Sequence, residues 1–107
     1  MEQGTGVNLE RIRALCQNNN IQWTQHALQR ILKRGISQDE VIKALMTGEI
    51  IEDYPDDYPN PSGLILGGNK LHVVCGVDDD RLWIITAYRP NPDKWENDLK
   101  TRKKGAE

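Results

Sequence analysis

The chain has 107 residues, of which 37% are hydrophobic and 28% are charged, and its formal net charge is −2 at pH 7. This length allows one domain with a modest core, and the composition excludes a disordered chain. No apolar run approaches the roughly 20 residues that span a bilayer, and a net negative charge argues against a purely electrostatic nucleic-acid binder.

We expect a single domain over residues 1–107, with a core at about 8–100, a flexible N-terminus and a basic C-terminal tail. The N-terminus lacks the basic and apolar pattern of a secretory signal, which favours a cytoplasmic location. Cys16 and Cys75 are far apart and each lies within an apolar pattern. This arrangement favours buried free thiols over a disulfide or a metal-binding pair.

The charges are unevenly distributed along the chain. Residues 49–62 contain five carboxylates and no basic residue, so the remainder of the chain is mildly basic. The acidic segment is either a solvated loop or an ordering partner for a cationic helix, and the sequence leaves both interpretations open.

Helical periodicity predicts two amphipathic helices in the first third of the chain. Asn8 suits the N-cap of the first helix, which ends in the Asn-rich run at 17–20. After a short extended segment at 21–23, Thr24 suits the N-cap of the second helix, and Gly35 ends it. The predicted buried faces are Leu9, Ile12, Leu15 and Cys16 in the first helix, and Ala27, Leu28, Ile31 and Leu32 in the second.

A third helix has a complete start signal. Ser37 and Glu40 have the spacing of a capping box, and Gly48 closes the helix. Its predicted buried face consists of Val41, Ile42, Leu45 and Met46.

The second half of the chain changes to strand periodicity. The predicted strands are 49–54, 64–66, 71–77 and 82–88. Turn signals between the last three predict an antiparallel meander. A short C-terminal helix follows, with Asn91 as its N-cap and Pro92 at its first position, docked through Trp95 and Leu99. The fold class is therefore α+β, with N-terminal helices on one face of a twisted antiparallel sheet of about four strands.

One face of the second helix carries groups suited to phosphodiester chemistry. Its cationic stripe comprises His26, Arg30, Lys33 and Arg34. His26 is a candidate general base, and Arg30 lies one turn above it. Lys33 and Arg34 are candidate phosphate-binding residues. They equally suit the negative end of the helix dipole, so a solvated helix face is the alternative.

The strands add three further candidates. His72 alternates with the apolar residues of its strand and therefore faces away from the core. Tyr88 and Arg89 end the last strand, where a phenol can stack on a base or donate a hydrogen bond and a guanidinium can bind a phosphate. Ordinary packing and surface roles are the alternatives. The chain has neither metal-ligand spacing nor a Gly-rich phosphate loop, so we expect no metal and no cofactor.

A set of specific motifs runs through most of the chain. They are Trp-Thr-x-His-Ala-x-x-Arg-x-x-x-Arg-Gly-Ile-Ser from Trp23, Gly-Glu-Ile-Ile-Glu-Asp-Tyr-Pro-Asp-Asp from Gly48, Leu-His-Val-Val-Cys from Leu71, Trp-Ile-Ile-Thr-Ala-Tyr from Trp83 and Pro-x-x-Trp from Pro92. The set resembles a small bacterial family of domains of unknown function, whose members are often encoded beside MqsA-like zinc-finger antitoxins. The layout is also similar, more distantly, to the RelE and BrnT toxins.

The resemblance implies a RelE-like fold and a metal-independent endoribonuclease toxin, with RNA as substrate and a zinc-finger antitoxin as partner. In this hypothesis His26 or His72 takes the proton from a ribose 2′-hydroxyl, which then attacks the adjacent phosphate. Arg30 and Arg34 stabilise the phosphoryl charge, and Tyr88 or the second histidine protonates the leaving oxygen.

Two other hypotheses come from different classes of protein. The first is a non-catalytic module that binds RNA or protein, and the second is a structural protein in which the cationic stripe is a solvated face. We expect no membrane partner, and the sequence is compatible with either a monomer or a homodimer.

Overall fold

The computed structural model describes residues 7–78 and 80–104, and within them it contains three helices and five strands. The helices are α1 (Leu9–Gln17), α2 (Gln25–Lys33) and α3 (Gln38–Thr47), and the strands are β1 (Ile21–Trp23), β2 (Glu49–Tyr54), β3 (Ser62–Leu66), β4 (His72–Val77) and β5 (Leu82–Tyr88). These helices and strands confirm the α+β class. None of the described helices is long and apolar enough to cross a membrane.

The sheet has the strand order β1-β5-β4-β3-β2. Strands β2 to β5 form the predicted antiparallel meander. Strand β1 joins it in parallel to β5, with Ile21 opposite Leu82 and Trp23 opposite Ile84. The prediction of a wholly antiparallel sheet of about four strands is thus wrong, because it did not include the parallel strand β1. A run of three residues is too short to show a strand period.

The predicted helix starts are confirmed by side-chain hydrogen bonds. The N-caps are Asn8 for α1, Thr24 for α2 and Ser37 for α3, where Glu40 completes the capping box. Gly35 follows α2 with a φ of 68°, the left-handed conformation that glycine adopts without strain. Local sequence signals therefore determine where each helix begins and where α2 ends.

The core lies between the three helices and one face of the sheet, which we call the inner face. It comprises Ile12, Leu15, Ala27, Ile31, Ile36, Val41, Ala44, Leu45, Ile65, Leu71, Val73, Cys75, Leu82, Ile84 and Ala87. Both cysteines are free, as predicted. Burial raises the pKa of the Cys16 thiol to about 11 and that of Cys75 to about 12, so both remain uncharged at neutral pH.

The apolar stripe predicted for α2 is only half buried. Ala27 and Ile31 belong to the core, whereas Leu28 is 38% exposed and Leu32 is 81% exposed. Helix α2 packs against β5, close to the β1 edge of the sheet, so the sheet covers only part of the stripe.

The residues after Arg89, here called the C-terminal segment (90–104), do not form the predicted helix. Asn91 closes one turn by accepting from the backbone N–H of Lys94 and Trp95, but the N–H of Glu96 then bonds to Thr101. The side chain of Asp98 captures the N–H groups of the next turn, and polar side chains of this type compete with helical hydrogen bonds. The segment instead forms a compact loop closed by a β-bridge between Trp95 and Arg102.

The basic tail lies against β2 as far as the structure describes it. Lys100 pairs with Glu49 at 3.0 Å, and Arg102 pairs with Glu52 at 2.8 Å. Glu49 and Glu52 of the acidic segment therefore contact the C-terminal segment, whereas the sequence left open either a solvated loop or an ordering role beside a cationic helix.

Candidate functional site

The outer face of the sheet, opposite the core, carries the chemically distinctive side chains at one end of β4 and β5. Val73 points into the core, so its neighbour His72 points outward. His72 pairs in register with Tyr88 of β5. The C-terminal segment covers this end of the outer face and packs Trp95 and Leu99 over His72.

His72 is fully buried within this cover. Its ring centroid lies 5.3 Å from that of Tyr88 and 4.6 Å from that of Trp95, both in edge-on geometry. Its Nε2 lies 2.7 Å from the carbonyl oxygen of Leu99, which can only accept, so Nε2 carries the proton. Burial lowers the pKa of His72 and outweighs the opposing effect of the Leu99 hydrogen bond. The side chain is therefore a neutral imidazole whose Nδ1 has no partner among the described residues.

The C-terminal segment is bound to β2 by an ion pair. Arg102 donates through Nε and Nη2 to the two carboxylate oxygens of Glu52, at 2.8 and 2.9 Å, and Tyr54 donates to the same carboxylate. The hydrogen bond from Arg102 keeps the pKa of Glu52 below its ordinary value. The Arg102 guanidinium carbon also lies 4.6 Å from the centroid of the Trp95 ring. This cation–π contact fixes the arginine beside the cavity described next.

A cavity of about 350 Å³, which we call the basic pocket, opens where α2, β5 and the C-terminal segment meet. It is lined by Arg34, Tyr88, Arg89, Asn91, Lys94, Trp95 and Arg102. Arg34 reaches it from the end of α2, where its Nη1 donates to the hydroxyl of Thr86 at 3.2 Å and to the carbonyl oxygen of Ala87 at 2.8 Å. These two bonds hold the guanidinium along the edge of β5.

The basic pocket retains positive charge after its ion pairs are counted. Arg89 pairs with Glu40 at 3.1 Å, and Arg102 pairs with Glu52. Arg34 and Lys94 form no ion pair with any carboxylate in residues 7–78 and 80–104. The pocket can therefore attract an anion, and the guanidinium of Arg34 and the ammonium of Lys94 can donate to its oxygens.

Tyr88 adds a hydrogen-bond donor to this charge. The side chain is half-buried, and burial raises the pKa of its phenol. The phenol therefore keeps its proton at neutral pH and can donate it to an oxygen bound beside the cations.

The structure brings together some of the predicted site residues and separates others. Arg34, Tyr88 and Arg89 line the basic pocket, and the ring of His72 packs edge-on against that of Tyr88. The remaining candidates are exposed on α2 and do not line it: His26, Arg30 and Lys33. Because α2 packs on the inner face and His72 points to the outer face, the two histidines do not share a site.

Sequence reasoning missed the contribution of the C-terminal segment. Asn91 was assigned to a helix cap and Trp95 to docking, while Lys94 and Arg102 were given no role. One signal was available, because a run of carboxylates in a predicted strand needs cations nearby and the basic tail was the richest source of them. The sequence did not show which strand the tail would meet.

Within 7–78 and 80–104, no group of three or more His, Cys, Asp or Glu side chains is placed to hold an ion. The basic pocket offers fixed cations and a protonated phenol, and these groups suit the binding of a phosphate-bearing molecule.

Comparison with known proteins identifies the family. A family model described as a domain of unknown function (DUF4258) matches residues 23–89. This range includes Arg34, His72, Tyr88 and Arg89 but ends before the C-terminal segment contributes its residues. No curated protein and no solved structure matches the chain. Because the family model covers more than half of the sequence, the chain belongs to the DUF4258 family of domains of unknown function.

Proposed function

We propose that this protein binds single-stranded RNA through the basic pocket. The observation that carries the proposal is the convergence of four cationic side chains and Tyr88 on one cavity of about 350 Å³. Phosphate contacts from Lys and Arg supply most of the affinity of nucleic-acid binders. A protein with a net charge of −2 can still bind a phosphodiester when its cations are concentrated in this way.

The shape and lining of the pocket favour a single strand. A small concave cavity with Tyr88 and Trp95 in its wall admits a phosphate with an unpaired neighbouring base, as single-strand binders do. Asn91 lines the same cavity, and a side-chain amide can donate to a ribose 2′-hydroxyl, the group by which proteins distinguish RNA from DNA.

The test compares two exposed lysines, only one of which lines the pocket. Lys94→Ala should weaken the binding of a fluorescent single-stranded RNA, measured by anisotropy, and should reduce the salt slope by about 0.7 for one lost phosphate contact. Lys33→Ala, on α2 and outside the pocket, is the matched control and should leave both quantities unchanged. Equal losses in the two variants, or binding that is insensitive to salt, would refute the proposal.

A second candidate function is the metal-independent cleavage of the bound RNA, as expected of a toxin with a zinc-finger antitoxin. The observation in its favour is the protonated Tyr88 phenol beside Arg34 and Arg102 in the same pocket. The ribose 2′-hydroxyl would lose its proton to a base as its oxygen attacks phosphorus, the 5′-oxygen would leave with a proton from Tyr88, and a cyclic phosphate would remain. We rank it second because the required base, His72, is enclosed by the C-terminal segment, and His26 lies outside the pocket.

The cleavage proposal has its own experiment. Wild-type protein should convert RNA to cyclic phosphate ends in excess chelator, and Tyr88→Phe should retain RNA binding while losing this product. RNA that remains intact while bound to micromolar folded protein would overturn cleavage and leave the binding proposal standing.

A further inference from the structure

A second cavity lies on the outer face of the sheet, between β5 and the loop at 55–61. We call it the apolar cavity; its volume is about 270 Å³, and Asp57, Tyr58, Gly76, Trp83 and Ile85 are among its lining residues. Tyr58 is 95% exposed and Ile85 is 38% exposed, so apolar and aromatic surface is open to solvent there.

Gly76 on β4 provides the depth of this cavity. A Cβ at this position would lie 3.3 Å from the carbonyl oxygen of Pro61 and 3.7 Å from Cδ1 of Ile85. Any side chain would therefore enter the space between the loop and β5. Trp83 beside it is held in one orientation, because its Nε1 donates to the carboxylate of Asp78 at 2.8 Å. The cavity is thus shaped before any ligand binds.

We propose that the apolar cavity is a binding site for one nucleobase of the RNA strand held by the basic pocket. The side chains that line it include no cation, and Asp57 adds a negative charge, so a phosphate is disfavoured and an uncharged group is favoured. The cavity volume of about 270 Å³ lies just below the range of about 300–1,000 Å³ that is typical of sites for larger ligands. A cavity of this size suits a single planar ring system. Tyr58 and Trp83 supply the aromatic surfaces on which bases stack.

The position of the cavity relative to the basic pocket supports this assignment, which rests on the proposed function. Ile85 lines the apolar cavity and Tyr88 lines the basic pocket, and both belong to β5. Tyr88 lies three positions after Ile85, which corresponds to roughly 10 Å along the strand. This distance corresponds to about three nucleotides at the axial spacing of roughly 3.4 Å in a stacked strand. One short oligonucleotide can therefore occupy both sites.

The first experiment uses adenosine, which has no phosphate and therefore does not depend on the basic pocket. Titration into labelled protein should shift the Trp83 indole and Ile85 methyl signals saturably at millimolar concentrations. The shift of the Trp83 indole signal should disappear in Ile85→Glu, and both shifts should persist in Leu32→Glu, the same kind of change at an exposed leucine outside both cavities. Tyr58→Ala, at an almost fully exposed side chain, should weaken binding even if the strand variant folds poorly. Adenosine shifts that are absent, or unchanged in Tyr58→Ala, overturn the inference.

The second experiment separates the two proposals. A four-nucleotide RNA should lose about tenfold in affinity when an abasic unit replaces one particular base, in line with the loss of a stacking contact. The same abasic RNA should show no further loss in Ile85→Glu. If every abasic RNA binds as tightly as the intact one, and Lys94→Ala still weakens both, the base site is refuted while the basic pocket stands. If the intact RNA does not bind at all, the proposed function fails and this inference fails with it.

Discussion

His72→Phe should remove a pH-dependent contribution to the stability of the protein. His72 is fully buried, and burial lowers its pKa below the ordinary value of 6.5. At acidic pH the unfolded chain therefore binds a proton on this residue that the folded chain does not bind. Above the ordinary pKa, His72 is neutral in both states and does not make the stability depend on pH. The free energy of unfolding falls as the pH drops from this ordinary pKa towards the lower pKa of the folded state.

The magnitude of this pH dependence follows from the uptake of one proton on unfolding. Uptake of a single proton on unfolding lowers the free energy of unfolding by about 1.4 kcal/mol for each pH unit within that window. Phenylalanine retains an aromatic ring against Tyr88 and Trp95 but loses the hydrogen bond to Leu99, which costs about 1 kcal/mol at neutral pH. The variant should therefore be less stable than the wild type at neutral pH, and the difference should shrink or reverse in acid.

Urea unfolding followed by tryptophan fluorescence measures this difference at intervals between about pH 5 and 8. All other titrating groups are common to both proteins, so their contributions cancel in the subtraction. A difference in stability that stays constant across the range would show that His72 is protonated equally in the folded and unfolded states, and the reasoning from its burial would be wrong.

Three further predictions concern stability and reactivity. Trp95→Ala should lower the free energy of unfolding by about 3 kcal/mol, because Trp95 is 4% exposed and anchors the C-terminal segment. Calorimetry measures this loss, and a value below about 1 kcal/mol would contradict the prediction. Gly35→Ala should cost about 1 kcal/mol in urea unfolding through backbone strain alone, since nothing lies within 4 Å of the added Cβ; an unchanged midpoint would argue against strain. Cys16 and Cys75 should react with a thiol reagent at neutral pH far more slowly in the folded protein than in urea, and equal rates would exclude protection by burial.

The features that were predictable from sequence are those determined by neighbours along the chain. Thr24, Ser37 and Glu40 form cap hydrogen bonds within one turn of themselves, and Gly35 adopts its conformation independently of any distant contact. Strand periodicity placed β2 and β5 correctly for the same reason. These signals need only the local backbone and the pattern of apolar residues.

The candidate site was less predictable because its charges come from three distant parts of the chain. Arg34 directly follows α2, Arg89 directly follows β5, and Lys94 and Arg102 belong to the C-terminal segment. Helical periodicity grouped Arg34 with His26, whereas hydrogen bonds to β5 draw its side chain to the sheet edge. A tertiary contact of that kind leaves no periodic signal in the sequence.

The parallel pairing of β1 with β5 affects the order in which the chain can fold. Thr24, directly after β1, donates to the carbonyl oxygen of Ile84, which lies 60 residues further along the chain. Closing a loop of this length has an entropic cost that local contacts do not offset, so such pairings form slowly. During synthesis the three helices therefore emerge before the strand that covers them. Their apolar faces remain open until β5 leaves the ribosome, so the nascent chain is vulnerable to aggregation over that interval.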